Sequence, residues 1–520
     1  MELEASAASS ARREPATSAA SGAPPARASQ IRGRAFDTLT WLALRLGAIG
    51  PVRRAVARQV EKRIRARGDV PASALRHPVA VEQDKVAIGL ALLGAAERGL
   101  ARRQLGAPAL RAMLTNLYSG VFVHDGGSAA KARFRARHGQ TPGDFLVISP
   151  GKACNLRCRG CYANSGAHRE RLRWDTFERT VREAHDEWGT RAFVISGGEP
   201  LAWRDGKRSV LDLAERFPDC FFVMYTNGTL VDGAIAKRMG RLGNVTPALS
   251  IEGMRERTDA RRGDGVFDKV LAATERLRSE GVILGVSLTA TRENADEVLS
   301  DAVVETFFDG IGASYAFVFH YMPMGRAFTQ DLMMTPEQRV RLYERVWWLV
   351  RNRHIFIADF WNSATVTNGC LAGGRAGGYF HVNWNGDVSP CVFFPYSPVN
   401  LKDVFARGGT LDDVWSHPFF ADIRRWQRDS GYREADEPCP DCGNWLAPCI
   451  IRDHHTDFMA LMQRHEPSPV DDDARSALAD PEYHRGLERF GHELQELTGP
   501  IWRERYLRGK GTPPAPMKRH

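Results

Sequence analysis

The stretch Cys154-Asn-Leu-Arg-Cys158-Arg-Gly-Cys161-Tyr162 constrains this chain more than any other. Three cysteines spaced C-x3-C-x2-C directly follow the apolar run 145–148, which places them in a loop at the end of a strand. Thiols packed that closely suit a metal centre better than a disulfide. An iron–sulfur cubane normally takes four cysteines, so a set of three leaves one iron without a protein ligand. An open coordination position is what separates a catalytic metal site from a closed structural one. Zinc is the competing reading of the bare spacing. Structural zinc, however, takes four ligands in two pairs, and the next histidine, His168, stands seven residues beyond Cys161, outside that arrangement.

Cysteine usage elsewhere supports metal binding. The chain of 520 residues has nine cysteines, clustered at 154–161 and 370–449 with Cys220 alone between them. An odd, clustered set with no apolar secretory segment in the first thirty residues fits a reducing, cytoplasmic location, with thiols serving metal rather than one another. The apolar run 86–96 is too short to span a bilayer. Net charge is +9, and residues 1–143 hold 23 Lys+Arg against 10 Asp+Glu, a balance of +13 that leaves about −4 for the remainder. The basic excess therefore belongs to the N-terminal third. Nucleic acid is one partner that such a region could take, and an anionic membrane surface or an acidic substrate are others, with nucleic acid the least expected.

Composition and periodicity divide the chain into six parts. Residues 1–34, rich in Ala, Ser, Pro and Arg, read as a disordered leader. Residues 35–143 form a basic helical region in which Val52, Val56, Val60 and Ile64 recur every four residues among Arg53, Arg54, Arg58 and Lys62, until Gly68 and Pro71 stop the helix. Trp41, Leu42, Leu44 and Leu46 give the preceding segment a second apolar face. The region is either a small helical domain packed on the next one or a basic amphipathic surface that makes peripheral membrane contact.

From 144 to 330, apolar strands at 145–150, 192–196, 221–225, 245–251, 282–290 and 313–320 alternate with helices, including 266–279 and 294–307. Trp174, Phe177, Val181 and Ala184 mark one face of the first helix, with Asp175 and Glu178 as its capping box. Regular alternation predicts an α/β fold with a parallel sheet, open or curled into a partial (β/α)6 barrel, whose chemistry collects at the C-terminal ends of the strands. Residues 331–368 are a connecting helix opened by Thr335 and Pro336. Residues 369–455 form a small α+β domain of short strands, glycine turns and five cysteines, Cys370, Cys391, Cys439, Cys442 and Cys449. A charged helical tail, 456–520, ends the chain.

A second motif, Ser196-Gly197-Gly198-Glu199-Pro200, closes the second strand. Paired glycines allow close approach to the backbone, and the carboxylate can accept from a cationic amine. On its own the turn is weak; one strand–helix–strand unit after the cysteine loop it becomes specific. Together, C-x3-C-x2-C with a following aromatic and GGEP resemble the radical S-adenosylmethionine (radical SAM) superfamily across residues 144–330, with no departure in either motif. The resemblance implies that Cys154, Cys158 and Cys161 hold a 4Fe–4S cluster whose open iron is chelated by S-adenosylmethionine (SAM). Tyr162 would lie near the adenine, Gly197, Gly198 and Glu199 would take the methionine amino group, and Ser250 would contact the ribose. Thr226-Asn227-Gly228 also has the family's look, although a simple strand-end turn explains it equally.

The C-terminal set, Cys370, then Cys391 in a G-x4-C hairpin, then Cys439-x2-Cys442-x6-Cys449, resembles the SPASM/twitch extension. The full pattern continues C-x2-C-x5-C-x3-C. Here the last gap is longer and Asp453 stands where the next cysteine would be. The resemblance implies one auxiliary 4Fe–4S cluster held by four of the five, with structural zinc at Cys439, Cys442 and Cys449 as the alternative. Further expectations are a buried thiol at Cys220, a solvated pair at His454–His455, a solvated or anion-binding pair at Arg261–Arg262, and core packing or pocket closure by Tyr321-Met322-Pro323. The implied activity is reductive SAM cleavage followed by hydrogen abstraction from a peptide or protein, with a lipid substrate as the second reading and a ferredoxin or flavodoxin as reductant. The reading from another class is a non-catalytic iron–sulfur or zinc protein.

Overall fold

The computed structural model describes residues 49–68, 75–117, 127–433, 438–439 and 441–509. The expected leader and the face of Trp41, Leu42, Leu44 and Leu46 lie outside them. At the centre are seven parallel strands: β1 Phe145–Ile148, β2 Ala192–Ile195, β3 Phe221–Thr226, β4 Val245–Ile251, β5 Gly285–Ala290, β6 Ala316–His320 and β7 Ile357–Asp359. They pair in sequence order, from Ile148↔Ile195 between β1 and β2 to Val318↔Asp359 between β6 and β7. Parallel strands joined by crossover helices are covered on both faces and read as near-continuous apolar runs, and β4 is buried along its whole length.

The sheet curls into an open barrel. Phe145 and Val147 of β1 line the same central cavity as Ala358 of β7 and the adjoining Phe356, so the first and last parallel strands face each other across a lumen. β7 falls within the stretch expected to be only a connecting helix; that helix is present as Pro336–Arg353, with Thr335 capping it and Pro336 at its first position. Three residues between a helix and a loop carry too little periodicity to announce a strand. The expected helix at 294–307 is instead a turn of helix at Asp301–Val303 continuing into a π-helical segment, Val304–Ile311. The helix Trp174–Glu187 has no side-chain capping box; the carboxylate of Asp205, from a distant loop, accepts from the Trp174 amide at 2.8 Å.

The C-terminal domain is built onto the barrel's first strand. β8 (Tyr379–Val382) pairs in parallel with β1, β9 (Asp387–Ser389) pairs antiparallel with β8, and β11 (Val399–Asn400) with β9. β10 (Tyr396–Ser397) and β12 (Ser468–Pro469) form a separate antiparallel pair. The sheet therefore runs through ten strands from β11 to β7. The tail is helical as expected, at His455–His465, Asp472–Ala479 and Pro481–Ile501.

Two buried carboxylates bind the flanking parts to the barrel. Asp84, on the helix Val79–Ala101, pairs with Arg351 and accepts from Thr365 Oγ1 at 2.8 Å and Tyr506 Oη at 2.9 Å. This helix is therefore a packed part of the fold. The preceding helix, Gly50–Gly68, leaves Val56 and Val60 exposed. At the other end, Asp453 occupies the position where the resemblance calls for another cysteine. It accepts from Arg339 at 2.8 Å, Arg452 at 3.0 Å and the Cys449 amide at 3.1 Å. Burial disfavours its charge, but Arg339 and Arg452 outweigh that and hold its pKa down to about 2. Both partners of such a pair are locked, because removing one leaves an unpaired buried charge at a cost of about 3–5 kcal/mol. We expect Arg339→Ala to lower stability by about that amount in urea unfolding, and Arg339→Met with Asp453→Leu to lose much less than Arg339→Ala.

Candidate active site and metal centres

The loop after β1 and the turn after β2 meet because β1 and β2 pair in register at their last residues, Ile148↔Ile195. The Gly198 amide donates to the Gly151 carbonyl at 2.9 Å and the Glu199 amide to the Ala153 carbonyl at 2.8 Å. A Cβ on Gly198 would stand 2.2 Å from the Ala153 carbonyl oxygen and 2.6 Å from that of Lys152. Gly197 has φ +105°. Both glycines are demanded by this contact, Gly198 by space and Gly197 by its dihedral.

Tyr162 reinforces the junction. Its hydroxyl lies 2.8 Å from Ser196 Oγ and accepts from the Gly197 amide at 3.0 Å, and burial raises its pKa. Glu199 is buried, with its carboxylate turned into the fold. Oε1 accepts from Thr226 Oγ1 at 2.7 Å and the Leu201 amide at 3.0 Å, and Oε2 from the Asn227 amide at 2.8 Å. The carboxylate expected to receive a cofactor amine is thus engaged by the protein, and Glu199 is absent from the cavity wall that Ser196, Gly197 and Gly198 help to line. Thr226 and Asn227 are more than a strand-end turn, since they hold this acid.

Cys154, Cys158 and Cys161 line one cavity of ≈ 480 Å³ at the C-terminal ends of the strands. All three are free thiols. The Leu156 amide donates to Cys154 Sγ at 3.4 Å and Asn227 Nδ2 at 3.7 Å. Such N–H donors stabilise a ligating thiolate and tune its metal. Burial pushes the Cys154 pKa up to about 11, so a metal is needed to hold this sulfur as thiolate at neutral pH. The three residues fit the cluster that the motif implies.

Ser250, on β4 opposite Ser287 of β5, lines the same cavity. Arg261 and Arg262 line it too, but as an engaged pair: both donate to the buried Glu252 carboxylate, and Arg262 Nε is buried with no hydrogen-bond partner. They are not the solvated pair that was one expectation. Tyr321 and Met322 reach the cavity wall, and the Tyr321 hydroxyl is buried without a partner.

Two features escaped the sequence. Arg326 donates to the Cys158 carbonyl at 2.7 Å and to the Ser165 carbonyl, while its amide donates to the Cys161 carbonyl at 3.0 Å. Before it, Gly325 leaves a Cβ no room, at 2.3 Å from the Tyr162 carbonyl oxygen. The Gly-Arg pair that follows Tyr321-Met322-Pro323 was the available signal. The second feature is an aromatic wall: Phe393 lies 5.8 Å from Phe319, 6.3 Å from Phe360 and 6.0 Å from Tyr162, between ring centroids.

Beyond that wall, Cys370, Cys391 and Cys449 are free thiols, and Cys449 stands close enough to raise the pKa of Cys370 and Cys391, although burial is the larger cause for both. Cys370 is pushed up to about 11. Three convergent soft donors fit a second metal centre. Cys439 and Cys442 are joined by a disulfide, a pair that C-x2-C spacing lets form as readily as it lets the two share an ion. Cys220 is buried as expected. His454 and His455 are not a solvated pair: His455 is buried, bonded to the Ile451 carbonyl at 2.6 Å and to His484 at 2.9 Å.

Comparison with known proteins agrees with this geometry. Residues 148–302 match the model of the radical SAM superfamily, and residues 370–443 match SPASM, an iron–sulfur cluster-binding domain. The mycofactocin maturase MftC of Mycolicibacterium smegmatis is 27% identical over 310 residues, covering 57% of this chain and 74% of that protein. An AdoMet-dependent heme synthase of Methanosarcina barkeri is 26% identical over 308 residues, covering 53% of this chain and 82% of that protein. In fold the chain is similar to Streptococcus suis SuiB bound to its precursor peptide SuiA, with a TM-score of 0.50 and 19% identity over 63% of this chain and 76% of that one. The chain thus carries a radical SAM domain and a SPASM iron–sulfur domain, as an enzyme that uses SAM and a 4Fe–4S cluster.

Proposed function

We propose that the enzyme modifies a peptide or protein substrate, and that Cys154, Cys158 and Cys161 hold the SAM-binding cluster. The observation that carries the assignment is the junction of Gly198 and Glu199 with the backbone of Gly151 and Ala153, which sets the cysteine loop and the glycine turn against one cavity. Held by these three cysteines, the cluster with SAM would supply the radical chemistry that removes a hydrogen atom from the substrate. On this reading Gly197 and Gly198 present their backbone to the methionine amino group, and Glu199 positions that turn through Thr226 and Asn227. Ser250 meets the ribose, Tyr162 borders the adenine, and Arg262, with its free Nε, meets the SAM carboxylate. Cys370, Cys391 and Cys449 hold the auxiliary cluster, with Cys439 or Cys442 as fourth ligand once their disulfide is reduced. A ferredoxin or flavodoxin supplies the electron. The peptide reading is supported by the named activities of relatives, the maturase MftC and the peptide-bound SuiB.

The cysteine assignment is tested by Cys154→Ala, expected to abolish 5′-deoxyadenosine formation while keeping the iron of the auxiliary site; undiminished 5′-deoxyadenosine would refute it. Gly198→Ala and Arg326→Ala are expected to lose iron from the SAM-binding site, Gly198→Ala more severely, as read by iron content and cluster absorbance after anaerobic reconstitution. The peptide reading is tested with deuterated candidate peptides: deuterium should appear in 5′-deoxyadenosine, and its absence with every peptide that stimulates SAM cleavage counts against a peptide hydrogen donor.

A further inference from the structure

The barrel has a second cavity, at the end opposite the cysteines. Its volume of ≈ 460 Å³ falls in the range of small-molecule sites. Val223 of β3, Tyr315 and Phe317 at the start of β6, Phe356 before β7, and Leu92 and Ala96 of the helix Val79–Ala101 line it. The wall is almost wholly hydrocarbon, and its main polar groups are engaged elsewhere. The Tyr315 hydroxyl bonds Thr246 Oγ1 at 2.8 Å, and Arg191 is held by the His185 and Thr190 carbonyls and by Asp219. An apolar cavity of this kind stays dry and takes apolar guests.

Two features give a guest direction. Phe317 and Phe356 line both this cavity and the one beneath the cysteines, so aromatic rings rather than backbone separate the two. Ile88 lines the upper cavity and Leu92, one helical turn on, the lower. The outer end lies beside Leu92, which is 48% exposed. There the helix Gly50–Gly68 runs antiparallel to Val79–Ala101, with Ile64 packed over Gly89 and Arg53 4.0 Å from Glu97. Val56 and Val60 therefore pass the level of Leu92 and Ala96, and they are 59% and 37% exposed. The helix carries seven Lys/Arg against one Glu. A cationic helix with bare valines suits the surface of an anionic bilayer.

We propose that the lower cavity binds a single hydrocarbon chain of an anionic membrane lipid, admitted beside Leu92 while the helix Gly50–Gly68 rests on the bilayer. The charge of that helix favours a lipid over a neutral apolar molecule. A peptide is disfavoured because its amides would find no partners in this wall, and an unpaired buried amide is costly. The site stands apart from the peptide reading and needs no chemistry at the cysteines.

The test uses the full-length reconstituted protein and cis-parinaric acid, whose fluorescence rises in an apolar site. Saturable binding is expected, weakened about tenfold by overpacking in Ala96→Trp and in Ile283→Phe, which fill the cavity from opposite walls. Iron content and melting temperature of each variant verify its fold. Pelleting with vesicles of phosphatidylcholine and phosphatidylglycerol should drop in Val56→Glu/Val60→Glu while parinaric acid binding persists. Absence of saturable binding, or binding undiminished in both cavity-filling variants, overturns the site. Equal pelleting on vesicles of phosphatidylcholine alone overturns the choice of an anionic lipid.

Discussion

Gly198 has no room for a side chain, because the carbonyls of Lys152 and Ala153 occupy that space. This backbone contact is the constraint from which the rest of the site follows. It brings the end of β2 against the cysteine loop of β1, and the Tyr162 hydroxyl closes it from the other side through Ser196 and Gly197. Glu199 carries the connection onward to β3, where Thr226 and Asn227 hold its carboxylate, and Asn227 in turn donates to the sulfur of Cys154. Three strand ends are thus joined by direct hydrogen bonds. A metal site gains its geometry from such outer partners as much as from its ligands.

The auxiliary domain is attached by the same logic, through backbone and buried charge. β8 extends the sheet from β1 itself, so the strand that delivers Cys154 also anchors the hairpin that delivers Cys391. Asp453 and its two arginines hold the loop of Cys449 against the helix Pro336–Arg353. Between the two groups of thiols stands the aromatic wall, in which Phe393 follows Cys391 by two residues and touches Tyr162, the neighbour of Cys161. A substrate that reaches the cavity meets the rings of Phe317 and Phe319 on β6, the paired His320 and Asp359 at the ends of β6 and β7, and the hydroxyls of Ser196, Ser250, Ser287 and Thr289.

The N-terminal region divides into a packed helix and an exposed one. Asp84 commits the helix Val79–Ala101 to the barrel, since a buried carboxylate with three partners cannot leave them cheaply. Gly50–Gly68, by contrast, keeps Arg54, Arg58, Lys62, Arg63, Arg65 and two valines in solvent.

Much of this was written in local sequence. The strands of the barrel could be read from apolar runs, because parallel strands bury both faces. The cysteine loop and the glycine turn could be read from spacing, because metal ligation and close backbone approach each demand particular residues at fixed separations. What local sequence could not decide depends on partners far along the chain. Nothing near Glu199 says that its carboxylate points into the fold, because Thr226 and Asn227 lie more than twenty-five residues away. Arg261 and Arg262 look solvated until Glu252 is found beneath them, and Asp453 looks like a lost ligand until Arg339 is seen to claim it. The three-residue β7 and the convergence of Cys370, Cys391 and Cys449 are products of packing. The sequence by itself determined which residues can hold metal and which turn must be glycine. Only the tertiary structure decided which polar groups face the cavity and which are consumed by the fold, because burial and pairing are set by chain segments that meet only when the barrel closes.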